Sequence, residues 1–491
     1  MSALPELDSW QYRLVQGASG QPGVVTIREI AGFTLETGAD LPVHDVSDAE
    51  GRPVGVLLGH PLQFLSDGTA KRSGGAVKLS SKLTHDVGAF VEAGFEELAG
   101  RFLWIFENGE TRRIYPDCSG QIPCVFDKGA KRVGATAHAL LSDAEYEARF
   151  DRGLFDRLGL DGLGWLPGGV TAHEGLNRLL PNHFLDLSDF TVHRHWPNAP
   201  WSTNTNPKQG IQELAGLVRA QIAALVETPE RRVAQALTAG RETRMLLGCA
   251  RPVASKLDLV TVSAGGSHQT DSVMARRIAK GENLSHRELL RATSTPKERE
   301  AYLRRGGHCI ADANANYFPS VRPIADTHIF VGGAGGEIGR GFFWRPGDTA
   351  ETKLTGAGMV NRFGLSPEPV LIEAMEAWLE GLAGYDSLQI LDLAYIEQRM
   401  GPWAGPQFCC DPTLVRMAPL LSRRTARLML SLPEDWKRNE GMADAVLKET
   451  WPELLRFPFN SLGAVQDLFG KVARVLRDPG VILRKLRKKA L

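Results

Sequence analysis

The chain has 491 residues, 43% of them hydrophobic and 23% charged, and it carries 57 acidic and 57 basic side chains. This composition is typical of a soluble globular protein of roughly two to four domains. The balanced charge gives no global signal for nucleic acid or a membrane surface, so we expect no nucleic-acid partner.

The N-terminus and the cysteines favour the cytoplasm. Residues 1–6 have neither the basic nor the apolar region of a signal peptide. No apolar run approaches the roughly 20 residues that a membrane span needs. Six cysteines are spread along the chain without a CxxC pair, which favours free thiols over disulfides or a zinc site. We therefore expect a cytoplasmic protein.

Residues 1 to about 145 are predicted to be rich in β-strands, because short apolar or alternating runs are separated by Gly, Asp and Pro. The predicted strands are 54–58, 102–106, 113–115 and 124–126, with a further strand at 134–137.

Residues 146–205 are predicted to be a connector, in which 179–187 and 190–197 form a hairpin. His193 and His195 alternate onto one face of the second strand, and His183 lies on the first. These histidines could form a metal cluster, but no carboxylate or cysteine joins them. We therefore interpret them as structural.

Residues 206–226 are predicted to form a helix, because their apolar side chains recur at helical spacing. Buried strands follow at 233–237, 257–263 and 327–331, and each leads into a turn of small residues and a helix. Such units imply right-handed crossovers and a parallel sheet. Their turns then meet at the carboxyl edge of the sheet, where open α/β sheets bind ligands.

The turn after the first of these strands is a candidate anion site. A helix over 242–250 follows small residues directly, so unpaired N–H groups and the positive end of the helix dipole face one point. Thr238 and Thr243 add hydroxyl donors, and Glu242 adds a carboxylate able to hold Mg²⁺ beside phosphates. No Gly-Lys-Ser/Thr follows, so the turn is not a Walker loop. The alternative is an ordinary turn without a ligand.

The segment 238–243, Thr-Ala-Gly-Arg-Glu-Thr, resembles the pyrophosphate loop of the asparagine synthetase family, whose usual form is Ser-Gly-Gly-x-Asp-Ser. The glycine-rich run 332–344 resembles the family's Gly-Glu-Gly-Ser-Asp-Glu segment. The family's acidic positions there fall on Gly333, Gly336 and Glu337, and only the last is acidic. One inner-sphere magnesium ligand is thus lost, and Glu337 is expected to substitute for it.

The resemblance implies a site with ATP and Mg²⁺ as cofactors. Arg241, Arg244 and Arg340 are candidates for neutralising phosphate charge, and Asp271 occupies the position of an acid that opens a helix in the family. The implied nucleotide-binding residues are Thr238, Ala239, Gly240, Arg241, Thr243, Val262, Ser263 and Gly335. The implied catalytic residues are Glu337, Arg340 and Lys437, and the implied metal ligands are Glu242 and Glu337.

Residues 98–105 and 113–121 resemble paired strands in the glutaminase domain of the same family, which is an N-terminal-nucleophile (Ntn) hydrolase. In that domain, a cysteine directly after the initiator Met attacks the glutamine amide. Position 2 here is Ser2, whose hydroxyl is far less acidic than a thiol and needs a dedicated base. We interpret the domain as a retained fold that has lost glutamine hydrolysis. The alternative is that Ser2 acts as the nucleophile after removal of Met1.

These expectations define an α/β protein. Residues 1–200 are predicted to be a degenerate glutaminase-like domain, a β-rich Ntn-hydrolase-like sandwich with the connector hairpin. Residues 205–460 are predicted to be a parallel-sheet ATP-binding domain of the adenine-nucleotide α-hydrolase-like (PP-loop) type with a helical C-terminal extension. The basic tail 461–491 is expected to contact a membrane or an acidic partner, or to end as a solvated amphipathic helix.

The implied activity is ATP-dependent amide-bond formation through an acyl-adenylate, without glutamine hydrolysis. The partners would be a small-molecule or peptide carboxylate and an amine or ammonia. Ring closure within one molecule and amidation of a uronic acid are both compatible with the sequence. The alternative is a non-catalytic homologue that binds a nucleotide or a partner, because positions 239, 242 and 336 all depart from the family pattern.

Overall fold

The computed structural model describes residues 4–17, 23–157, 163–228, 230–264, 269–411 and 413–462. Ser2 and nearly all of the tail 461–491 lie outside these ranges, so the expectations about them stay predictions. In the described part of the chain, a mostly antiparallel N-terminal unit, in which only the strands Val43–Ser47 and Ala76–Lys78 pair in parallel, precedes a unit with a parallel sheet covered by helices.

The N-terminal unit contains short strands and a few helices. Its strands are β1 (Tyr12–Val15), β2 (Thr26–Ile30), β3 (Phe33–Thr37), β4 (Val43–Ser47), β5 (Pro53–Phe64), β6 (Ala70–Arg72), β7 (Ala76–Lys78), β8 (Leu98–Glu107), β9 (Arg112–Pro116), β10 (Val125–Asp127), β11 (Arg132–Gly134), β12 (Leu163–Trp165), β13 (Asn177–Arg178), β14 (His183–Asp186) and β15 (Thr191–Arg194). Its helices are α1 (Val87–Glu97), α2 (Ala137–Leu140), α3 (Asp143–Arg149) and α4 (Arg152–Arg157).

Apart from β12, which pairs with β19 (Ile310–Asp312) of the second unit, these strands form two sheets that share one core. The first sheet is antiparallel, in the order β13-β10-β11-β1-β3-β2. The second has the order β15-β14-β9-β8-β5-β4-β7, with β6 paired to β5. Tyr12 and Leu35 of the first sheet and Leu58 and Leu103 of the second are fully buried in the same core. Strand alternation directs these side chains to one face, which is why the sheets stack.

Helix α1 covers the outer face of the second sheet. Phe90 and Phe95 of α1 pack against Trp104, with ring centroids 6.2 and 6.3 Å apart. Asp86 caps the helix by accepting the Ala89 N–H at 2.9 Å. The sheet is therefore buried on both faces at its centre.

The sequence located most of these strands. The predicted segments 54–58, 102–106 and 113–115 lie in β5, β8 and β9, and the predicted hairpin is β14–β15. The strand expected at 134–137 is wrong beyond Gly134, because α2 begins at Ala137. Residues 137–140 include two Ala and one Leu, which are strong helix formers. The Ntn-hydrolase-like assignment of this unit stays a prediction.

The second unit alternates strands and helices. Its strands are β16 (Arg232–Ala236), β17 (Leu257–Ser263), β18 (His286–Leu290), β19 (Ile310–Asp312), β20 (His328–Val331) and β21 (Val415–Met417). Its helices are α5 (Pro207–Val226), α6 (Arg241–Cys249), α7 (Thr270–Gly281), α8 (Pro296–Arg305), α9 (Ala313–Tyr317), α10 (Gly356–Arg362), α11 (Pro369–Glu380), α12 (Ser387–Ala394), α13 (Gly405–Cys410), α14 (Arg423–Leu430), α15 (Glu434–Arg438) and α16 (Gly441–Thr450). Short 3₁₀ segments are Arg251–Lys256, Phe318–Ile324, Gly336–Arg340 and Pro452–Arg456, and Tyr395–Ala404 is π-helical.

The parallel sheet has the order β18-β17-β16-β20-β21, and every pair in it is parallel. The three strands predicted from sequence are β16, β17 and β20, while β18 and β21 are added at the two edges. From β16, the chain continues to β17 and β18 on one side of the sheet. Strands β20 and β21 lie on the other side of β16. The carboxyl ends of β16 and β20 therefore flank the switch point, where such sheets bind ligands.

Helix α5 is the predicted amphipathic helix. Asn206 caps it by accepting the Gln209 N–H, and Pro207 occupies the first turn, where a missing N–H costs little. Ile211, Leu214, Leu217, Val218, Ile222 and Leu225 of the predicted stripe are buried. Among the helices of the described ranges, none has the length and apolar character that a membrane crossing requires.

A buried ion pair joins the two units. Arg194 of β15 donates from Nη1 and Nη2 to the Glu397 carboxylate in the π-helical segment, at 2.6 and 2.7 Å. Asn182 and Trp378 donate to the same carboxylate, at 3.1 and 2.7 Å. Burial raises the pKa of Glu397, but the charge of Arg194 and these hydrogen bonds outweigh burial and hold the pKa below its usual value.

Glu397→Gln is expected to lower the free energy of unfolding at pH 7 by about 3–5 kcal/mol, because Arg194 is then buried without its counter-charge. Urea unfolding followed by circular dichroism measures the change. Because the folded pKa is lowered, the difference from wild type should be complete above pH 4.5, the ordinary Glu value, and shrink as the pH falls through the folded pKa.

The matched control is Arg157→Gln, which breaks another contact between the units. Arg157 pairs with Glu368 at 3.2 Å, but its side chain is 58% exposed. Such an exposed pair contributes about 0–1 kcal/mol. Equal losses in the two variants would contradict the importance of the buried pair.

Candidate functional site at the carboxyl edge of the parallel sheet

The turn between β16 and α6 is held by its own hydroxyl groups. The Oγ1 atoms of Thr238 and Thr243 lie 2.9 Å apart, and the Gly240 N–H donates to Thr238 Oγ1 at 3.0 Å. The Thr238 N–H donates to Thr243 Oγ1 at 3.2 Å. Gly240 is the N-cap of α6, and no side chain caps this helix end. The first-turn N–H groups of α6 therefore face the carboxyl edge of the sheet, as the sequence predicted.

Asp271 closes this turn from the neighbouring helix α7. Its Oδ1 accepts the Ala239 N–H at 2.9 Å, so this amide is occupied by a carboxylate of the chain itself. Ala239 is 1% exposed and is not among the residues with positive φ. The replacement of the family's glycine by alanine is therefore accommodated without strain at this position.

The end of the described chain covers the turn. Arg244 donates from Nη1 to Phe457 O at 2.5 Å and from Nη2 to Ala239 O at 3.1 Å and Pro458 O at 3.2 Å. The Asn460 N–H donates to Ala239 O at 2.9 Å. Arg244 is 0% exposed, so its guanidinium ties the turn to the segment 457–460. Of the three arginines predicted to neutralise phosphate, Arg244 is therefore bound by the chain itself, and that role for Arg241 and Arg340 stays a prediction.

Two glycines after β20 allow close approach to α6. A Cβ at Gly336 would lie 2.6 Å from Glu242 Cγ, and a Cβ at Gly333 would lie 2.7 Å from Glu242 Cβ. The Glu242 side chain thus occupies the space that side chains at 333 and 336 would need. Gly335, with a φ of 100°, provides the left-handed turn between these contacts.

Carboxylates and guanidinium groups converge above this contact. Arg340 lies 3.2 Å from Glu242, 3.6 Å from Glu337 and 3.9 Å from Glu440, measured between nitrogen and carboxylate oxygen. Arg241 pairs with Glu440 at 2.6 Å. The Tyr395 hydroxyl donates to Glu337 at 2.7 Å. The structure therefore brings Glu242, Glu337, Arg241 and Arg340 together, on the loops after two different strands.

This arginine–carboxylate cluster carries an excess of negative charge. Four carboxylates, of Glu242, Glu337, Glu440 and Asp444, lie within 4 Å of the two guanidinium groups of Arg241 and Arg340. Burial raises the pKa of Glu242, the charge of Glu337 raises it further, and Arg340 opposes both. An additional cation near Glu242 and Glu337 would therefore be favourable.

The carboxylates of Glu242 and Glu337 fit Mg²⁺ only when a nucleotide supplies further ligands. Within the described ranges, no group of three or more His, Cys, Asp or Glu side chains is placed to hold a metal ion. Glu242 and Glu337 can supply two carboxylates. Mg²⁺ is usually bound by one or two carboxylates together with substrate phosphates and water, so the pair suffices when a nucleotide supplies the remaining ligands.

Lys437 forms an ion pair with Asp392 and not with a residue of the cluster. It is 2% exposed, donates to the Asp392 carboxylate and donates to Leu430 O at 2.8 Å. Burial raises the pKa of Asp392 to about 6, and the charge of Lys437 opposes this. A catalytic role for Lys437 requires it to leave this pair and stays a prediction.

The predicted adenine contacts lie at the end of the adjacent strand. Val262 is 39% exposed and Ser263 is fully buried at the carboxyl end of β17. The turn after β16 is joined to β17 by the Leu237 N–H, which donates to Val260 O at 2.9 Å. A role of Val262 and Ser263 in binding the nucleotide stays a prediction.

Sequence reasoning missed Glu440, Tyr395 and Phe459. Glu440 precedes α16 with a φ of 52°, in the left-handed region, and joins both arginines of the cluster. Tyr395 begins the π-helical segment, and Arg241 and Arg244 both stack over the Phe459 ring at 4.3 Å. No local pattern marks these residues, because their contacts join distant parts of the chain.

Asp117 lies in the segment 113–121 that resembles the glutaminase domain, and its side chain has a structural role. Asp117 accepts hydrogen bonds from the backbone N–H groups of Ser119 and Gln121 at 3.0 Å and of Phe102 at 3.3 Å. Its carboxylate is therefore occupied by the chain.

The three histidines of the hairpin have separate partners. His183 contacts Pro181 O at 2.9 Å, His193 contacts Thr191 at 2.8 Å and His195 contacts Glu92 at 2.6 Å. This arrangement agrees with the structural interpretation.

No protein-family model and no curated protein matches the sequence. Solved structures with some similarity include a U34-tRNA thiolase, NcsA, from Methanococcus maripaludis with its 4Fe-4S cluster, at 13% identity and a TM-score of 0.24, covering 56% of this chain and 75% of that one. An NH3-dependent NAD synthetase from Campylobacter jejuni with a nitrate ion has 12% identity and a TM-score of 0.20, covering 38% and 92%. An NMN synthetase from Francisella tularensis has 12% identity and a TM-score of 0.19, covering 42% and 94%. These TM-scores are too low to support an activity.

Gly336→Ala is expected to destabilise the protein by about 1–3 kcal/mol, because the new Cβ collides with Glu242 Cγ. In a Glu242→Ala background the colliding atom is gone, and the cost should fall below about 1 kcal/mol. Denaturant unfolding of the four proteins in this double-mutant cycle measures the coupling.

Gly333→Ala is the control for this cycle. Its Cβ meets Glu242 Cβ at 2.7 Å and the Thr243 backbone nitrogen at 3.1 Å, and both atoms remain in Glu242→Ala. Its cost should therefore be the same in both backgrounds. Absence of coupling between 336 and 242 would contradict the contact described above.

Proposed function

We propose that the second unit binds ATP at the carboxyl edge of its parallel sheet and activates a carboxylate as an acyl-adenylate, which an amine or ammonia converts to an amide. The observation that carries this proposal is the meeting of two loops at the switch point. The start of α6 and the Gly336–Arg340 segment bring Glu242, Glu337 and Arg340 together there. The resemblance of segment 238–243 to the pyrophosphate loop of asparagine synthetases supports the same conclusion.

The proposed reaction has two displacements. A carboxylate oxygen of the substrate attacks the α-phosphorus of ATP, the bond to the bridging oxygen breaks, and pyrophosphate leaves with the electron pair. The amine nitrogen then attacks the acyl carbon, the acyl–oxygen bond breaks, AMP leaves and the amine loses a proton. Mg²⁺ held by Glu242 and Glu337 would neutralise phosphate charge.

The chain's own contribution is positioning and electrostatics. The first-turn N–H groups of α6 face the place where phosphate charge develops, and they need no reorganisation during the reaction. Phosphoryl chemistry of this kind depends on such fixed donors.

Arg340 is the residue best suited to move onto a phosphate. Its contacts to Glu242, Glu337 and Glu440 measure 3.2–3.9 Å, whereas Arg241 pairs with Glu440 at 2.6 Å. Long ion-pair contacts at a partly exposed side chain are weak. A guanidinium that leaves them can donate two hydrogen bonds to a phosphate.

The nitrogen source is free ammonia or an amine. The glutaminase cysteine of the family is replaced by Ser2, and the Asp117 carboxylate is occupied by backbone N–H groups. The serine at position 2 favours an enzyme that does not hydrolyse glutamine. An amine on the same molecule as the carboxylate would give a ring.

Exchange of radiolabelled pyrophosphate into ATP, tested with a panel of carboxylic acids, should appear with at least one acid. Glu242→Ala should reduce this exchange by at least about 100-fold, because the carboxylate that would hold Mg²⁺ at the phosphates is removed. The control is Glu453→Ala, which removes a carboxylate that is 50% exposed and pairs with Arg251 at 3.5 Å. Unchanged exchange in Glu242→Ala would exclude the proposed metal position.

Arg340→Ala should raise the dissociation constant of ATP by about 10–100-fold, the expected effect of losing charge-assisted hydrogen bonds. Isothermal titration calorimetry measures the constant, with Arg251→Ala as a control for the loss of an exposed arginine. ATP affinity equal to wild type in Arg340→Ala would contradict a contact between Arg340 and phosphate.

A non-catalytic nucleotide- or partner-binding role is the second candidate, and one observation favours it. The cleft lined by Arg241, Glu242, Gly336, Arg340 and Glu440 encloses about 10 Å³, the room of a single water molecule. The chain's own side chains fill the place where phosphates would bind. ATP binding without pyrophosphate exchange for any acid would support this second candidate over the first.

A further inference from the structure

A second polar pocket lies in the N-terminal unit, where β4 and β5 meet the turn between β6 and β7. Its volume is about 350 Å³, which suits a small-molecule group. Its lining includes His44, His60, Arg72, Ser73, Gly74 and Gly75. None of these residues belongs to the cluster at the parallel sheet.

Ser73 and His44 form a directed hydrogen bond in this pocket. The Ser73 Oγ lies 2.7 Å from His44 Nδ1, and His44 Nε2 lies 2.9 Å from Gly59 O. A carbonyl oxygen only accepts, so Nε2 carries the proton and Nδ1 of the neutral ring presents a lone pair. The Ser73 hydroxyl then donates to Nδ1. Ala76 O, at 3.2 Å, is the more distant acceptor for the same proton.

This arrangement has the three parts of an activated nucleophile: a hydroxyl, a base within hydrogen-bond reach and a group that orients the base. His44 is 7% exposed, and burial lowers its pKa, with the charge of Arg72 lowering it further against the effect of the Gly59 carbonyl. The imidazole is therefore neutral near pH 7 and able to accept the serine proton.

The pocket also leaves room for a substrate beside Ser73. A Cβ built on Gly74 or Gly75 would meet no atom within 4 Å, so the backbone next to the hydroxyl is open. Arg72 is close enough to lower the pKa of both His44 and His60 through its charge. Arg72 lines the pocket, and its Nη1 pairs with Glu230 at 3.4 Å. A guanidinium at the wall of the pocket favours negative charge there.

We propose that Ser73 and His44 form the nucleophile and general base of a second site that takes a small, activated acyl ester. Ser73 Oγ bonds to the carbonyl carbon while its proton moves to His44 Nδ1. The bond from that carbon to the leaving alcohol breaks, and the alcohol takes the proton from Nδ1. Water then attacks the acyl-serine, His44 takes one proton of the water, and Ser73 recovers its hydrogen as the acid leaves.

Labelling with a fluorophosphonate probe tests this proposal on the full chain. The serine oxygen displaces fluoride and forms a stable phosphonyl ester. Trypsin releases residues 73–78, Ser-Gly-Gly-Ala-Val-Lys, in which Ser73 is the single hydroxyl. The following peptide 79–82, Leu-Ser-Ser-Lys, carries Ser80 and Ser81 as an internal control. We expect the 73–78 peptide to be labelled at least about 100-fold faster, the usual contribution of a general base.

Two variants separate a catalytic pair from a structural hydrogen bond. Ser73→Ala should abolish labelling of the 73–78 peptide while the thermal unfolding midpoint stays near wild type. His44→Ala should slow labelling by about 100-fold or more, and added imidazole should restore part of the rate. Ser80→Ala should leave labelling of Ser73 unchanged. Equal labelling of the two wild-type peptides would overturn the proposal, as would a His44→Ala protein that labels Ser73 at the wild-type rate.

Discussion

The contact between the Glu242 side chain and the glycines at 333 and 336 determines the geometry of the candidate site. It brings the start of α6 against the loop after β20, so that two loops separated by about ninety residues share one surface. The atoms of Glu242 lie 2.6–2.7 Å from ideal Cβ positions at these glycines, so no side chain fits between. The meeting of Arg340 with Glu242 follows directly from this close approach.

The charge balance of the arginine–carboxylate cluster determines which ligands the site favours. The cluster holds more carboxylate than guanidinium charge, and the partial burial of Glu242 makes that excess costly. A divalent cation relieves the excess, whereas a polyphosphate alone adds to it. In the function proposed above, a nucleotide would therefore suit this edge of the sheet better with a metal ion than without one.

The sequence predicts the central framework because buried strands and small-residue turns leave local patterns. Runs of apolar residues mark β16, β17 and β20, and the helical spacing of α5 is equally clear. The edge strands β18 and β21 were missed, because one is largely polar and the other has three residues. At the site, the position of Glu242 after a strand predicts its role, whereas Glu337 and Arg340 are predicted from the resemblance to the asparagine synthetase family. Glu440 and Tyr395 approach from later helices through tertiary contacts, which no spacing in the sequence reveals.

The fit of Glu242 against Gly336 also restricts which changes the chain can accept, and in what order. A side chain added at 336 while Glu242 is present creates a collision, whereas a smaller residue at 242 first leaves only a small void. Positions 242 and 336 are therefore epistatic. An evolutionary path from this arrangement towards an acid at 336 therefore costs less stability when the change at 242 comes first than in the reverse order.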